Sequence, residues 1–297
     1  MISGLGPLKK RFDFDEEKDV LGTGNFGTVY RAFDYNTKKM VALKIMEKGK
    51  RLETNCKNEH KLLQQLHHPF IIRLNCVIDE AKYMVMVLEL AWGGSLGSEL
   101  KERSALHKKF KKKTKGEING EMEKVYMDFD RLSMIFMQIV SAVSYIHSKR
   151  FIHRDIKPQN ILFMDRDQRF VKLGDFGTCC RQEDSKAKKL LIGTPAYMAP
   201  DGFCGEITTA FDCWSLGIVL YEMIELRTPF EGVTHTDYWR VDNLNIEYRH
   251  YREDTPELLK QLVSRLVCEV ENRLFSHHIP QHPFMQRFAK ELQLLTI

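Results

Sequence analysis

Between His153 and Gly177 the chain reads HRDIKPQNILFMDRDQRFVKLGDFG. Asp155 follows His-Arg, Lys157 stands two residues on and Asn160 three further. Asp175 opens an Asp-Phe-Gly triplet after the apolar-rich run Phe170–Leu173. Moving a phosphoryl group from a nucleotide asks little covalent chemistry of a protein, but it requires charge held in place. One carboxylate must orient the attacking hydroxyl, a cation must meet the phosphate charge, and a carboxylate with an amide oxygen must hold Mg²⁺. Asp155, Lys157, Asp175 and Asn160 are that set. Taken singly, each is more simply a surface group; their order and separation carry the chemistry.

Such a set needs phosphates brought to it. Residues 21–30 read LGTGNFGTVY, with glycines at 22, 24 and 27 that let backbone approach phosphates where a Cβ would collide. Dinucleotide sites use the same spacing but place a helix directly after the glycines. Here Thr28–Phe33 has strand character, so a glycine turn between two strands is predicted, with Phe26 at its tip. A hairpin without ligand is the plain alternative. MVALKIM at 40–46 is an apolar strand interrupted by Lys44, a costly residue there unless its charge is paired. A snorkelling surface lysine is the bland reading. Residues 53–66 predict a helix stopped before Pro69, with Glu59 as the best acid partner and Glu53 as a weaker one. Two apolar strands are expected around 71–78 and 83–90.

Further on, Leu132, Ile135, Phe136, Ile139, Val140, Val143 and Ile146 follow helical spacing and predict a core helix from Asp130. Trp214, Leu216, Val219, Leu220 and Met223 suit a second buried helix. A third is expected to begin at Pro256, with Leu258, Leu259, Leu262, Val263 and Leu266 as its apolar face.

The glycine flap, the strand lysine, H-R-D-x-K-x-x-N and D-F-G occur in an order that resembles the eukaryotic protein kinases, across about residues 14–288. Lys157 in K-P-x-N is similar to the serine/threonine type. GDFGTC and GTPAYMAP resemble the Rho-associated and citron-type kinases, while other stretches resemble different branches, so the branch stays open. The resemblance implies an α+β, two-lobed fold. A small, mostly antiparallel β lobe with one helix (14–91) precedes a larger, mainly helical lobe (92–288), with ATP and Mg²⁺ in the cleft between them. It implies nucleotide contacts from Leu21, Gly22, Gly24, Gly27, Val29, Ala42, Lys44, Glu59, Leu88, Glu89, Ala91 and Leu162. Glu89–Ala91 would form the hinge at the adenine edge. It makes Asp155, Lys157 and Thr194 catalytic and gives the metal to Asn160 and Asp175. It also implies that His153 and Phe176 pack beside Leu63 and Leu74, and that Asp212 holds the backbone of the catalytic loop.

Departures from the family pattern are few. The activation segment, 175–201, ends in Ala-Pro-Asp where Ala-Pro-Glu is usual, so Asp201 is expected to reach Arg273 with a shorter arm. Ser95 and Gln159 stand where relatives often carry acids, so a preference for basic substrates is not implied. Arg154 commonly binds a phosphorylated residue; Leu190 occupies a common phosphoacceptor position, and Ser185 is the available alternative. A kinase-like scaffold without chemistry usually lacks one of the four charged groups, and none is missing. A nicotinamide-dependent oxidoreductase is disfavoured by the strand after the glycines.

The bulk properties agree with a protein of this class. With 43% hydrophobic and 29% charged residues, the 297-residue chain has an ordinary globular composition. No apolar run approaches the ~20 residues of a membrane span. The N-terminus lacks the apolar core of a signal peptide, so a cytoplasmic or nuclear address is expected. The seven cysteines are odd in number and contain no C-x-x-C pair, which argues against a disulfide framework or a zinc site. Adjacent Cys179 and Cys180 are two inert thiols or, less simply, a redox pair. The net charge of +5 has a local source: residues 101–115 carry eight Lys or Arg against one acid. No specific nucleic-acid surface is indicated. The basic run 101–127 shows no sustained helical period and is expected to be a mobile loop. An acidic protein or an anionic lipid is its candidate partner, beside the protein substrates that bear Ser or Thr.

Overall fold

The computed structural model describes residues 5–24, 27–48, 53–113, 125–187, 193–204, 207–230 and 251–296. The chain divides into two compact units, Met1–Trp92 and Gly93–Ile297.

The first unit is built on an antiparallel sheet in the order β1 (Phe12–Asp13), β3 (Gly27–Asp34), β4 (Lys39–Glu47), β6 (Tyr83–Glu89), β5 (Leu74–Asp79), with β2 (Val20–Gly24) also paired to β3. Side chains alternate between the faces of a strand. In β4 this sends Val41, Leu43 and Ile45 into a core with Phe12, Tyr30 and Val85, and turns Ala42, Lys44 and Met46 to the opposite face. A strand therefore follows the glycines, as the sequence predicts. Gly27 is required there. Its φ of +137° belongs to glycine, and a Cβ would lie 2.2 Å from the Ile45 carbonyl oxygen. The predicted helix forms as α2 (Glu53–Gln65), after a short α1 (Gly6–Lys9). Phe26 lies outside the described residues, as does the Glu53 side chain.

The second unit is mainly helical. Its centre is α4 (Phe129–Ser148), capped by Asp128, which accepts from the amides of Asp130 and Arg131. All seven apolar residues predicted for its inner face are buried, and so are Met137 and Ala142. It is long and apolar enough by composition to cross a bilayer, but most of it is buried in this unit as a core helix. Helix α5 (Thr209–Glu225) buries Trp214, Leu216, Val219, Leu220 and Met223.

Helix α6 (Glu257–Leu266) takes Pro256 as its N-cap. Leu259, Leu262, Val263 and Leu266 face inward, but Leu258 is 41% exposed, correcting its assignment to the apolar face. Positions 259, 262, 263 and 266 follow the i, i+3, i+4, i+7 spacing, and Leu258 falls beside that stripe. Helix α7 (Gln286–Thr296) ends the described chain.

The basic run corrects the expected loop. Residues through Lys113 continue a helix, α3 (Leu96–Lys113). Its first turns are anchored: Leu96 and Leu100 are buried, and Glu99 takes ion pairs from Arg103 at 2.8 Å and Arg131 at 2.6 Å. Lys, Leu and Ala are good helix formers, so an anchored helix continues through a polar stretch that lacks an apolar period of its own. At the far end of the run Val125 and Met127 are buried, so that end is not a loop in solvent either. Residues 114–124 lie outside the described ones.

Candidate active site

Two short strands assemble the catalytic stretch. β8 (Ile161–Phe163) pairs antiparallel with β9 (Val171–Leu173), so the residues before the first and after the second meet at one end. The Gly174 amide donates to the Asn160 carbonyl at 2.8 Å, which brings Asn160 and Asp175 together from 15 positions apart in the chain. Arg154 and Asp175 both take left-handed backbone, at φ 69° and 55°. Non-glycine residues held there mark a segment whose surroundings override local preference.

Asp155 is nearly buried, and both of its carboxylate oxygens are engaged. Thr194 Oγ1 donates to Oδ1 at 2.8 Å. Lys157 Nζ and Asn160 Nδ2 donate to Oδ2 at 2.7 and 3.1 Å. Lys157 also reaches Thr194 Oγ1 at 2.7 Å. Asn160 gives its amide hydrogens to Asp155, so its amide oxygen remains as its acceptor. The four residues form one closed set in which a hydroxyl lies between a carboxylate and an ammonium.

A second layer fixes this loop. Asp212, fully buried, accepts from the amides of His153 at 2.8 Å and Arg154 at 2.9 Å, as the resemblance implied. It also meets His147 Nε2 at 2.8 Å. Burial pushes the Asp212 carboxyl up, but the hydrogen bonds from His147 and from the His153 amide outweigh it and hold the group below its usual range. His153 packs on Phe176 with ring centroids 4.8 Å apart. Its Nε2 lies 3.1 Å from the Gly174 carbonyl oxygen and its Nδ1 accepts the Asp155 amide at 3.3 Å. That pairing requires the neutral ring with its proton on Nε2, and burial lowers the pKa of His153 accordingly. Gly193 approaches so closely that a Cβ would stand 2.5 Å from the Arg154 carbonyl oxygen.

The nucleotide residues assigned to the first unit lie along its sheet, except Glu59 on α2 and Ala91 just past β6. Lys44 pairs with Glu59 at 2.8 and 2.9 Å, and both are buried. Val29 stands opposite Lys44, and Ala42 opposite Leu88. Gly22 and Gly24 lie on β2 with Leu21, which is 52% exposed; a Cβ on either glycine would meet no protein atom within 4 Å. Glu89 is tied to Arg73, its amide donating to the Arg73 carbonyl at 3.0 Å and its carboxylate accepting the Arg73 amide at 2.7 Å. Ala91 follows, half-buried, near the end of the unit. Leu63 and Leu74 belong to this first unit. Leu162 belongs to the second, in β8 beside Gly174.

A model of the protein kinase domain matches residues 16–285. The chain belongs to the protein kinase family. Among curated relatives, Aurora kinase A-A of Xenopus laevis is 31% identical over 89% of this chain and 60% of its own length. Calcium-dependent protein kinase 5 of Plasmodium berghei is 33% identical over 98% of this chain and 48% of its own length. AtPK2/AtPK19 of Arabidopsis thaliana is 36% identical over 78% of this chain and 44% of its own length. The chain thus spans about half the length of these relatives.

For a kinase domain, two positioning residues escaped the sequence reading: His147 and Ser276. Ser276 Oγ lies 2.9 Å from His147 Nδ1 and extends the Asp212 network toward the C-terminal part of the chain. The one available signal was a polar His beside the last apolar residue of the core helix. Asp201 and Arg273 do meet, at 2.6 Å, despite the shortened acid. Arg154 donates through Nε to the Thr178 carbonyl at 2.6 Å, and its buried Nη1 has no hydrogen-bond partner among the described residues. Leu190 lies outside the described residues.

Proposed function

We propose that this kinase domain transfers the γ-phosphate of ATP to serine or threonine hydroxyls of proteins. The observation that carries this reading is the placement of the Thr194 hydroxyl, which donates to Asp155 and accepts from Lys157. A substrate hydroxyl needs the same two neighbours, a carboxylate to take its proton and a cation for the charge of the incoming group. Asp155 orients the hydroxyl and accepts its proton. Lys157 meets the charge of the transferred group, and Thr194 frames the hydroxyl's position. Lys44, fixed by Glu59, is the cation for the α- and β-phosphates. Leu21, Gly22, Gly24, Gly27, Val29, Ala42, Leu88, Glu89, Ala91 and Leu162 are the remaining nucleotide contacts in this reading.

Asn160 and Asp175 fit Mg²⁺, being hard oxygen donors at one end of the β8–β9 pair; Mg²⁺ needs one or two such protein ligands beside phosphate and water. When bound, the metal neutralises charge on the phosphate oxygens. Among the described residues, no group of three His, Cys, Asp or Glu side chains could hold a metal by itself, which agrees with a site completed by phosphate.

The finer parts of the reading have narrower support. An acidic protein or anionic lipid as partner of the basic run rests on Lys108, Lys109, Lys111 and Lys112, exposed on α3. Activation by phosphorylation, with Ser185 as acceptor, rests on the unmatched Arg154 nitrogen. The Rho-associated or citron-type branch rests on GDFGTC and GTPAYMAP. A cytoplasmic or nuclear address suits Cys76, Cys179, Cys180, Cys213 and Cys268, none of which is in a disulfide. Incubation with γ-labelled ATP and paired serine, threonine and tyrosine peptides tests the central proposal. Label on the serine or threonine peptide is expected; label only on tyrosine, or none, contradicts it.

A further inference from the structure

Residues 5–15 precede the segment that matches the family, yet they are built into the first unit. Leu5, Leu8, Phe12 and Phe14 are buried in its core, and Arg11 forks onto Asp34 through bonds of 3.1 and 3.0 Å. Seated this way, the segment forms one side of an open groove of about 670 Å³ whose other side is Arg31 and Phe33 of β3 and Met40 of β4. Phe14, Phe33 and Met40 give it apolar surface. Five acids line it, Asp13, Asp15, Glu16, Glu17 and Asp19, against two cations, Lys9 and Arg31. Both cations are paired inside the groove, Lys9 with Glu16 at 2.8 Å and Arg31 with Asp19 at 2.7 Å. Five acids against two cations make the described lining net −3, with Asp13, Asp15 and Glu17 outside these two ion pairs.

We propose that this groove docks a cationic, extended segment of a partner protein. Its Lys or Arg side chains would meet Asp13, Asp15 and Glu17, and one bulky apolar side chain would rest on Phe33 and Met40. Charge complementarity sets the sign of the partner. The apolar surface favours a polypeptide over a bare cation, which would gain nothing from Phe33 or Met40. None of the assigned catalytic, nucleotide or metal residues lines the groove, so docking here leaves them free. Four of its ten lining residues, Lys9, Asp13, Phe14 and Asp15, precede the segment that matches the kinase domain, residues 16–285.

Fluorescence anisotropy with the full chain and a labelled synthetic peptide carrying several lysines around one phenylalanine tests the proposal. Saturable binding that weakens as salt rises is expected. Asp13→Lys/Glu17→Lys should weaken it at least about tenfold, and alanine for the peptide phenylalanine several-fold. Both substituted side chains are exposed. Should that variant not fold by circular dichroism, Asp13→Asn/Glu17→Gln should still weaken binding several-fold. Unchanged affinity in the variants, equal binding of a glutamate-for-lysine peptide, or no saturable binding would each overturn it. So would self-association of the chain that the same substitutions abolish, since the occupant would then be a second copy.

Discussion

Thr194 and Asp155, 39 residues apart, share a hydrogen bond of 2.8 Å. Thr194 is held there because Gly193 can pass against the Arg154 carbonyl where a residue with a Cβ cannot. The activation segment and the catalytic loop are thereby registered on one another. Thr194→Val keeps the shape and removes the hydroxyl. It is expected to lower kcat about tenfold to a hundredfold, with little change in KM for ATP. Steady-state kinetics with a peptide substrate check this, and an unchanged kcat would remove Thr194 from the catalytic set.

The Arg273 guanidinium, fully buried, bonds Asp201 and also donates to the carbonyls of Cys268 and Ala210. Arg273→Ala strands all three acceptors. A loss of about 3–5 kcal/mol is expected in chemical denaturation, with nucleotide affinity changed far less. A Tm equal to or above that of the parent would contradict the pairing.

Lys44 and Glu59 form a pair whose single disruption leaves a buried charge. Lys44→Met should therefore lower Tm as well as abolish transfer. Lys44→Met/Glu59→Leu should recover much of the Tm but none of the activity, because apolar replacement of both partners removes the unmatched group. Calorimetry and the transfer assay separate the two effects. Activity returning with stability would show that Lys44 acts only in folding.

The pH dependence of stability has a definite sign. His153 has a lowered pKa in the fold, mainly through burial, while in the unfolded chain it titrates near 6.5. Below that value the unfolded state takes up a proton that the folded state refuses. Stability is thus expected to fall as pH drops through 6.5 toward the lower folded pKa, the slope from this residue approaching about 1.4 kcal/mol per pH unit below 6.5. Asp212 acts in a lower window: its carboxyl is depressed below 3.8, so its contribution is present above that value and lost beneath it. His153→Phe should flatten the first slope and leave the second. Denaturant melts across pH check this, and an unaltered slope near 6.5 would contradict the neutral, buried ring.

The proposed catalytic residues could be picked out because phosphoryl transfer asks for given residue types at given spacing, and the structure brings Asp155, Lys157, Asn160 and Thr194 together; the core helices were readable because burial imposes a helical period. Helix α3 was not readable: its anchor is the Glu99 clamp to Arg131, a contact from a distant helix, while its own outer turns, rich in lysine, carry no apolar period. His147 and Ser276 were missed for a related reason. A single partly buried hydrogen bond between residues 129 positions apart leaves no pattern in either segment. The N-terminal segment escaped notice because two-residue β1 is too short to show alternation, and its place is set by Arg11 reaching Asp34.

The most direct test is Asp155→Asn, measured by single-turnover transfer from γ-labelled ATP to a serine peptide alongside equilibrium nucleotide binding. Nucleotide affinity should persist while the transfer rate falls by about 10²–10⁴. Near-parental transfer by that variant would contradict the assignment of Asp155 as the group that accepts the substrate proton.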